Sequence, residues 1–206
     1  MVLKIVNTCL KIAVPLLLAT AFVSCSKKSY IDVEYRLPPS AGTLAGRTVF
    51  VETRDFRSDT EIFDRRAKDK FKDFSGLFAL SLTFPEDQHR LKGAYELPML
   101  FETALVERLK KLGIGMAAET SPNVPEFQIK INQFRIKLIG RKWLADVSYE
   151  ASLSQDTQLV AREVVSGSAE RMRLVGSGGA EKVIGEIFTD MINRLNIERL
   201  FQQAGL

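Results

Sequence analysis

FQIKINQFRIKL, residues 127–138, and WLADVSYEASLS, residues 143–154, decide the fold. In the first, Phe127, Ile129 and Ile131 alternate with Gln128, Lys130 and Asn132. Phe134, Ile136 and Leu138 continue the alternation against Arg135 and Lys137. A bulge near Asn132–Gln133 is compatible with this run but not required by it. In the second, Trp143, Ala145, Val147, Tyr149, Ala151 and Leu153 oppose Asp146, Ser148, Glu150 and Ser152. A period of two sends one set to each face of a strand. One apolar face and one polar face predict antiparallel strands covered on one side, not a parallel sheet buried on both. Residues 158–174 supply a third strand through the hairpin residues Gln155-Asp156-Thr157, with Gly167 as a candidate bulge.

Something must cover the apolar face. Leu97, Leu100, Phe101, Ala104, Leu105, Leu109 and Leu112 recur at helical spacing, and Gly113 is placed to end that helix. A second helix is predicted over 180–203 from Val183, Ile184, Ile187, Phe188, Met191, Ile192 and Leu195. Shorter strands are expected at 47–54, 77–84 and 116–118, and residues 55–76 read as a long loop or hairpin. The fold class that follows is α+β: a two-layer sandwich, mainly antiparallel sheet covered by two amphipathic helices.

The N-terminus has a different character. Lys4 and Lys11 precede the apolar run 12–23, broken by Pro15, and small Ser24 stands before Cys25. A run of this length is too short to span a bilayer, which takes about 20 apolar residues, and it matches a cleavable export signal. Residues 1–24 are therefore read as a lipoprotein signal peptide, 25–45 as a flexible tether rich in Pro, Gly and Ser, and 46–206 as one periplasmic domain. Ile31–Tyr35 alternates, so the tether can hold a short edge strand.

Composition narrows the function. The formal charge of +4 falls by two when Lys4 and Lys11 leave with the signal. The remaining bases are interleaved with acids, as in Asp64-Arg65-Arg66-Ala67-Lys68-Asp69-Lys70, which argues against nucleic acid as a partner. Of two cysteines, Cys9 lies in the signal and Cys25 at its end, so neither a disulfide nor a thiolate metal site is expected in the domain. His89, the one histidine, has no partner motif for a triad or zinc site. Asp55, Asp59, Glu61 and Asp64 lack the calcium-loop pattern and are interrupted by arginines. The run 176–179 lacks the Lys-Ser/Thr of a phosphate loop. No cofactor and no catalytic residue is expected. Phe63, Phe71 and Phe74, set among charges, are the candidate contacts for a partner or lipid.

The residues around Cys25 resemble a bacterial lipobox, which implies that Cys25 carries a diacylglycerol. Val49-Phe50-Val51-Glu52-Thr53-Arg54-Asp55-Phe56-Arg57, with its Asp-x-Arg step, and the later Lys111-Leu112-Gly113 resemble the YajG-type lipoproteins. The layout is also similar to the auxiliary lipoproteins of bacterial ABC-type lipid-transport systems. The resemblance implies a non-enzymatic subunit of an envelope complex, held at the membrane by acylated Cys25. Ser26 following the cysteine implies the periplasmic face of the outer membrane. The rival readings are a lipid carrier with an apolar cleft between sheet and helices and, last, a carboxylate-dependent hydrolase.

Overall fold

The computed structural model describes residues 29–39, 42–86, 88–172 and 179–206. The chain runs β1 (Ile31–Arg36), β2 (Thr48–Asp55), α1 (Arg65–Lys68), β3 (Phe78–Thr83), β4 (His89–Tyr95) and α2 (Leu97–Lys111). It continues as β5 (Gly115–Met116), β6 (Glu126–Ile139), β7 (Lys142–Gln155), β8 (Gln158–Met172), α3 (Gly179–Arg194) and α4 (Ile197–Gln203). The class is α+β, with a five-strand sheet β5-β2-β6-β7-β8 and a three-strand sheet β1-β3-β4. Helices cover the inner faces, giving two layers.

The long meander β6–β7–β8 is antiparallel, as the alternation implies. Three other ladders are parallel: β1 with β3, and β2 with both β5 and β6. One-sided alternation reports a covered face but not the direction of a neighbour, so these pairings were not readable from it.

The bulge in β6 turns out to be obligatory. Ile131 and Phe134 are three residues apart, so an unbroken strand would send Phe134, Ile136 and Leu138 to the solvent face. Instead the register against β7 shifts between Ile131 and Gln133, Asn132 is passed over, and Phe127, Ile129, Ile131, Phe134, Ile136 and Leu138 all lie buried on one side. Each large apolar side chain kept inside this way is worth about 1.5–3 kcal/mol.

Three further expectations change. The stretch read as a tether contributes core: Ile31, Val33, Tyr35 and Leu37 are buried, and Leu44 donates its N–H to the Leu112 carbonyl at 3.0 Å. Composition misleads there because the prolines fall after the strand rather than within it. The polar connection around His89 is the edge strand β4; His89 is exposed, and its Nδ1 lies 3.0 Å from Thr83 Oγ1. The final helix is two helices. Asn196 caps α4 by accepting the Arg199 N–H at 2.9 Å. Arg108 of α2 donates to the carbonyls of Ile192 and Leu195 at 2.7 and 2.9 Å, satisfying groups that an unbroken helix would have bonded itself.

α3 lies along the free edge of β1. Its residues Glu181, Gly185, Thr189 and Asn193 recur every four positions and form one stripe. Glu181 Oε1 accepts the Asp32 N–H at 3.5 Å, Thr189 Oγ1 accepts the Arg36 N–H at 3.2 Å, and Asn193 Nδ2 donates to the Arg36 carbonyl at 3.1 Å. Gly185 permits this approach, since a Cβ there would lie 3.0 Å from both the backbone nitrogen and oxygen of Glu34.

Candidate interaction face

Register and ring contacts bring several chain segments to one end of the domain. Ile31, Phe78 and Tyr95 are paired neighbours, and Tyr95 leads directly into α2. α3 begins beside Asp32. The β6–β7 turn and the end of β8 are joined by the Lys142–Met172 pairing, and Phe71, 5.9 Å from Trp143, links them to the same end. The chain enters here. The Ser29 carbonyl accepts both the N–H and the hydroxyl of Ser75, at 2.8 and 2.9 Å.

Residues 56–76 are loop around the single turn of α1. The first part extends the sheet: Asp64 N–H donates to Ile136 O at 2.9 Å and Ile136 N–H to Ile62 O at 2.7 Å. The phenylalanines then close a small core. Phe63 stacks on Phe71 at 4.8 Å between ring centroids, meets Phe74 edge-on at 5.4 Å, and Phe74 meets Phe78 at 5.1 Å. Phe63 is 5% exposed, and Phe71 and Phe74 are half-buried. The exposed apolar edge expected of these three is thus largely consumed by packing on one another. What remains of it lines an open cleft of about 340 Å³ with Lys68, Lys72 and Ser75.

Four bases in this segment, Arg65, Arg66, Lys70 and Lys72, are exposed and make no ion pair among the described residues. Arg141 is exposed in the β6–β7 turn. Ile139 and Met172 beside it are 56% and 60% exposed. Neither apolar residue was picked out from the sequence; the signal was available in Ile139-Gly140-Arg141, an apolar residue placed at the tip of a hairpin rather than inside a strand.

The acidic cluster is occupied by structure. Asp55 and Arg57 form a two-pronged ion pair, with Nη2–Oδ2 at 2.8 Å and Nε–Oδ1 at 2.9 Å, and Arg57 Nη1 donates to Thr60 O. Arg57's hydrogen bonds hold the Asp55 carboxyl below its ordinary range. The Asp-x-Arg step is therefore a locked turn, and Leu112-Gly113 is a helix end with Gly113 at φ 89°. The Glu61 backbone N–H, with Arg135 second, lowers Asp59; Glu61 itself pairs with Lys68, and Asp64 caps α1. Local ion pairing engages Asp55, Asp59 and Glu61, and helix capping engages Asp64. No cluster of potential metal ligands occurs among the described residues.

The interior between sheet and helices is filled. Phe101 sits edge-on to Phe134, Tyr149 and Phe188, all fully or nearly fully buried. The buried hydroxyls of Tyr35 and Tyr149 are held protonated by desolvation, and they fasten α3 by donating to Asn193 Oδ1 and Met191 O. The clefts lie at the surface. The one of about 430 Å³ is bounded by Pro38, Arg108 and Asn196 at the far end of α2, and another of about 370 Å³ by Pro122 and Thr157. The apolar cavity a lipid carrier would use between the layers is not formed among the described residues. Cys25 and the run 176–178 lie outside those residues. No described helix is long and apolar enough to cross a membrane.

No family model and no curated protein matches the chain. Among solved structures it is similar to protein XCC0632 from Xanthomonas campestris, of family model DUF330. That match has a TM-score of 0.52 and 14% identity, covering 86% of this chain and 97% of that one. It establishes a shared fold. A minor lipoprotein from Acinetobacter baumannii matches at TM-score 0.35 and 11% identity over 51% and 81% of the two chains. Lipoprotein GNA1162 from Neisseria meningitidis matches at 0.27 and 12% over 72% and 99%. Similarity at that level adds nothing to the argument.

Proposed function

We propose that this chain is an exported lipoprotein, acylated at Cys25, whose domain serves as a non-enzymatic accessory or assembly subunit of a cell-envelope complex. The observation that carries the reading is the signal ending at Cys25 only four residues before Ser29, which is already held in the folded body by Ser75. A leader of that kind immediately ahead of a packed domain has one economical explanation, an anchor. A diacylglyceryl group with a further acyl chain suffices for stable residence in a bilayer, which a single chain does not. Ser26 and the resemblance to YajG-type and ABC-transport auxiliary lipoproteins favour the periplasmic face of the outer membrane and a role in lipid transport or envelope maintenance.

A solid core and carboxylates engaged in ion pairs and caps favour a protein that acts by contact. The test is affinity purification of the intact protein from membranes, comparing wild type with Cys25→Ala, together with mass spectrometry of the mature N-terminus. The expected result is a lipid-modified Cys25 and a stable envelope partner recovered by wild type alone. A mature chain that starts elsewhere, or a variant processed and partnered like wild type, overturns the proposal.

A further inference from the structure

Ser29 is tied to Ser75 by two hydrogen bonds, so at most four residues' length of chain separates an anchor at Cys25 from the body. Fully extended, that is about 14 Å. Such a leash keeps Ser29 within about 14 Å of the bilayer but does not by itself decide which face of the domain meets it. The end bearing Ser29 carries the 65–73 segment, with five bases against two acids, Asp69 and Asp73. Four of the bases are exposed and make no ion pair among the described residues, and Lys27 and Lys28 add to the same charge in sequence. Clusters of four to eight Lys and Arg beside a membrane anchor attract anionic lipid, at separations within about a Debye length, roughly 8–10 Å.

We propose that the end of the domain bearing Ser29 lies against the bilayer, and that Arg65, Arg66, Lys70 and Lys72 bind the headgroups of anionic phospholipids there. Ile139 and Met172 are placed to reach the same interface. The occupant is lipid of the membrane that holds the anchor: the leash length puts it within reach, and the charge is complementary. The inference rests on acylation of Cys25 but goes beyond it, because an anchor with no preferred face would leave the domain free to rotate.

The test uses the full acylated protein reconstituted in vesicles of equimolar phosphatidylcholine and phosphatidylglycerol, or of phosphatidylcholine alone. With Cys9 removed and Cys25 acylated, a single introduced thiol carries a fluorophore, at Asp69→Cys or at Asn123→Cys. Asn123 precedes β6, about 40 Å away along that strand. A quencher carried on lipid headgroups should dim the label at 69 at least about threefold more than the label at 123 in the anionic vesicles. The ratio should shrink in neutral vesicles and in the Arg65→Glu, Arg66→Glu, Lys70→Glu, Lys72→Glu variant, towards the smaller value that the leash alone sets. Equal quenching at the two positions, or a ratio undiminished by the four reversals, overturns the proposal. Mass spectrometry of the same samples separates the two readings: lipid present at Cys25 with equal quenching refutes only the orientation, whereas no lipid at Cys25 refutes the anchor.

Discussion

β1 and β8 both lie at the edge of a sheet, and the chain treats them in opposite ways. β1 is six residues long, and its free backbone groups are met one by one by side chains of α3. β8 is fifteen residues long, and no strand pairs with its outer edge among the described residues. Its exposed face mixes Leu159, Val160, Val164 and Met172 with Arg162 and Glu170. Charges spaced along an edge discourage pairing with other chains at little energetic cost. A covered edge demands particular residues at particular positions, whereas an open one demands only that some charge be present. Stability should therefore be concentrated at β1 and nearly absent from the outer face of β8.

The largest break is expected from Gly185→Val. Its side chain has only the Glu34 backbone to move against, so α3 must lift from β1. Chemical denaturation should show a loss of about 2–3 kcal/mol, or roughly 5–10 °C in Tm for a chain of this size. Asn193→Ala comes next. It removes the bond to Arg36 O and leaves the buried Tyr35 hydroxyl without an acceptor, for about 2 kcal/mol by the same measurement.

The third test is alkaline. Burial holds the Tyr35 hydroxyl protonated above its ordinary range, with the charge of Arg108 offsetting part of this, and Tyr149 behaves likewise. The folded state binds these protons more tightly than the unfolded chain does. Their contribution is complete below about pH 10 and is lost as pH rises past it. Tyr35→Phe should make the fall in denaturation midpoint above that pH shallower. The smallest effect belongs to β8: Val164→Thr should change stability by no more than about 0.5 kcal/mol. A larger loss there would show that β8 is not the permissive edge.

How much of this was legible depended on how each element meets solvent. β6 and β7 announce themselves because one face of each is buried along its whole length. The β6 bulge was also written in the sequence, in the spacing of Ile131 and Phe134, and needed only the count of parity. β4 could not be seen: His89-Arg90-Leu91-Lys92-Gly93 is an edge segment with solvent on most sides, and nothing imposes a period. The partner of β1 was hidden for another reason, since an edge closed by side chains 149 to 157 residues away leaves no local trace. The phenylalanines of 63–74 were recognisable as a cluster. Their position beside Ser29 is a product of topology alone.

The closure of β1 by α3 also sets an order of events. β1 is among the first segments of the domain to be synthesised, and the helix that completes it is nearly the last. Contacts between such distant segments form slowly. The leading strand must therefore wait, half-zipped on β3 at best, until the tail has been made. In that interval the bare rim of β1 is the part of the newborn chain most in need of a chaperone's shelter.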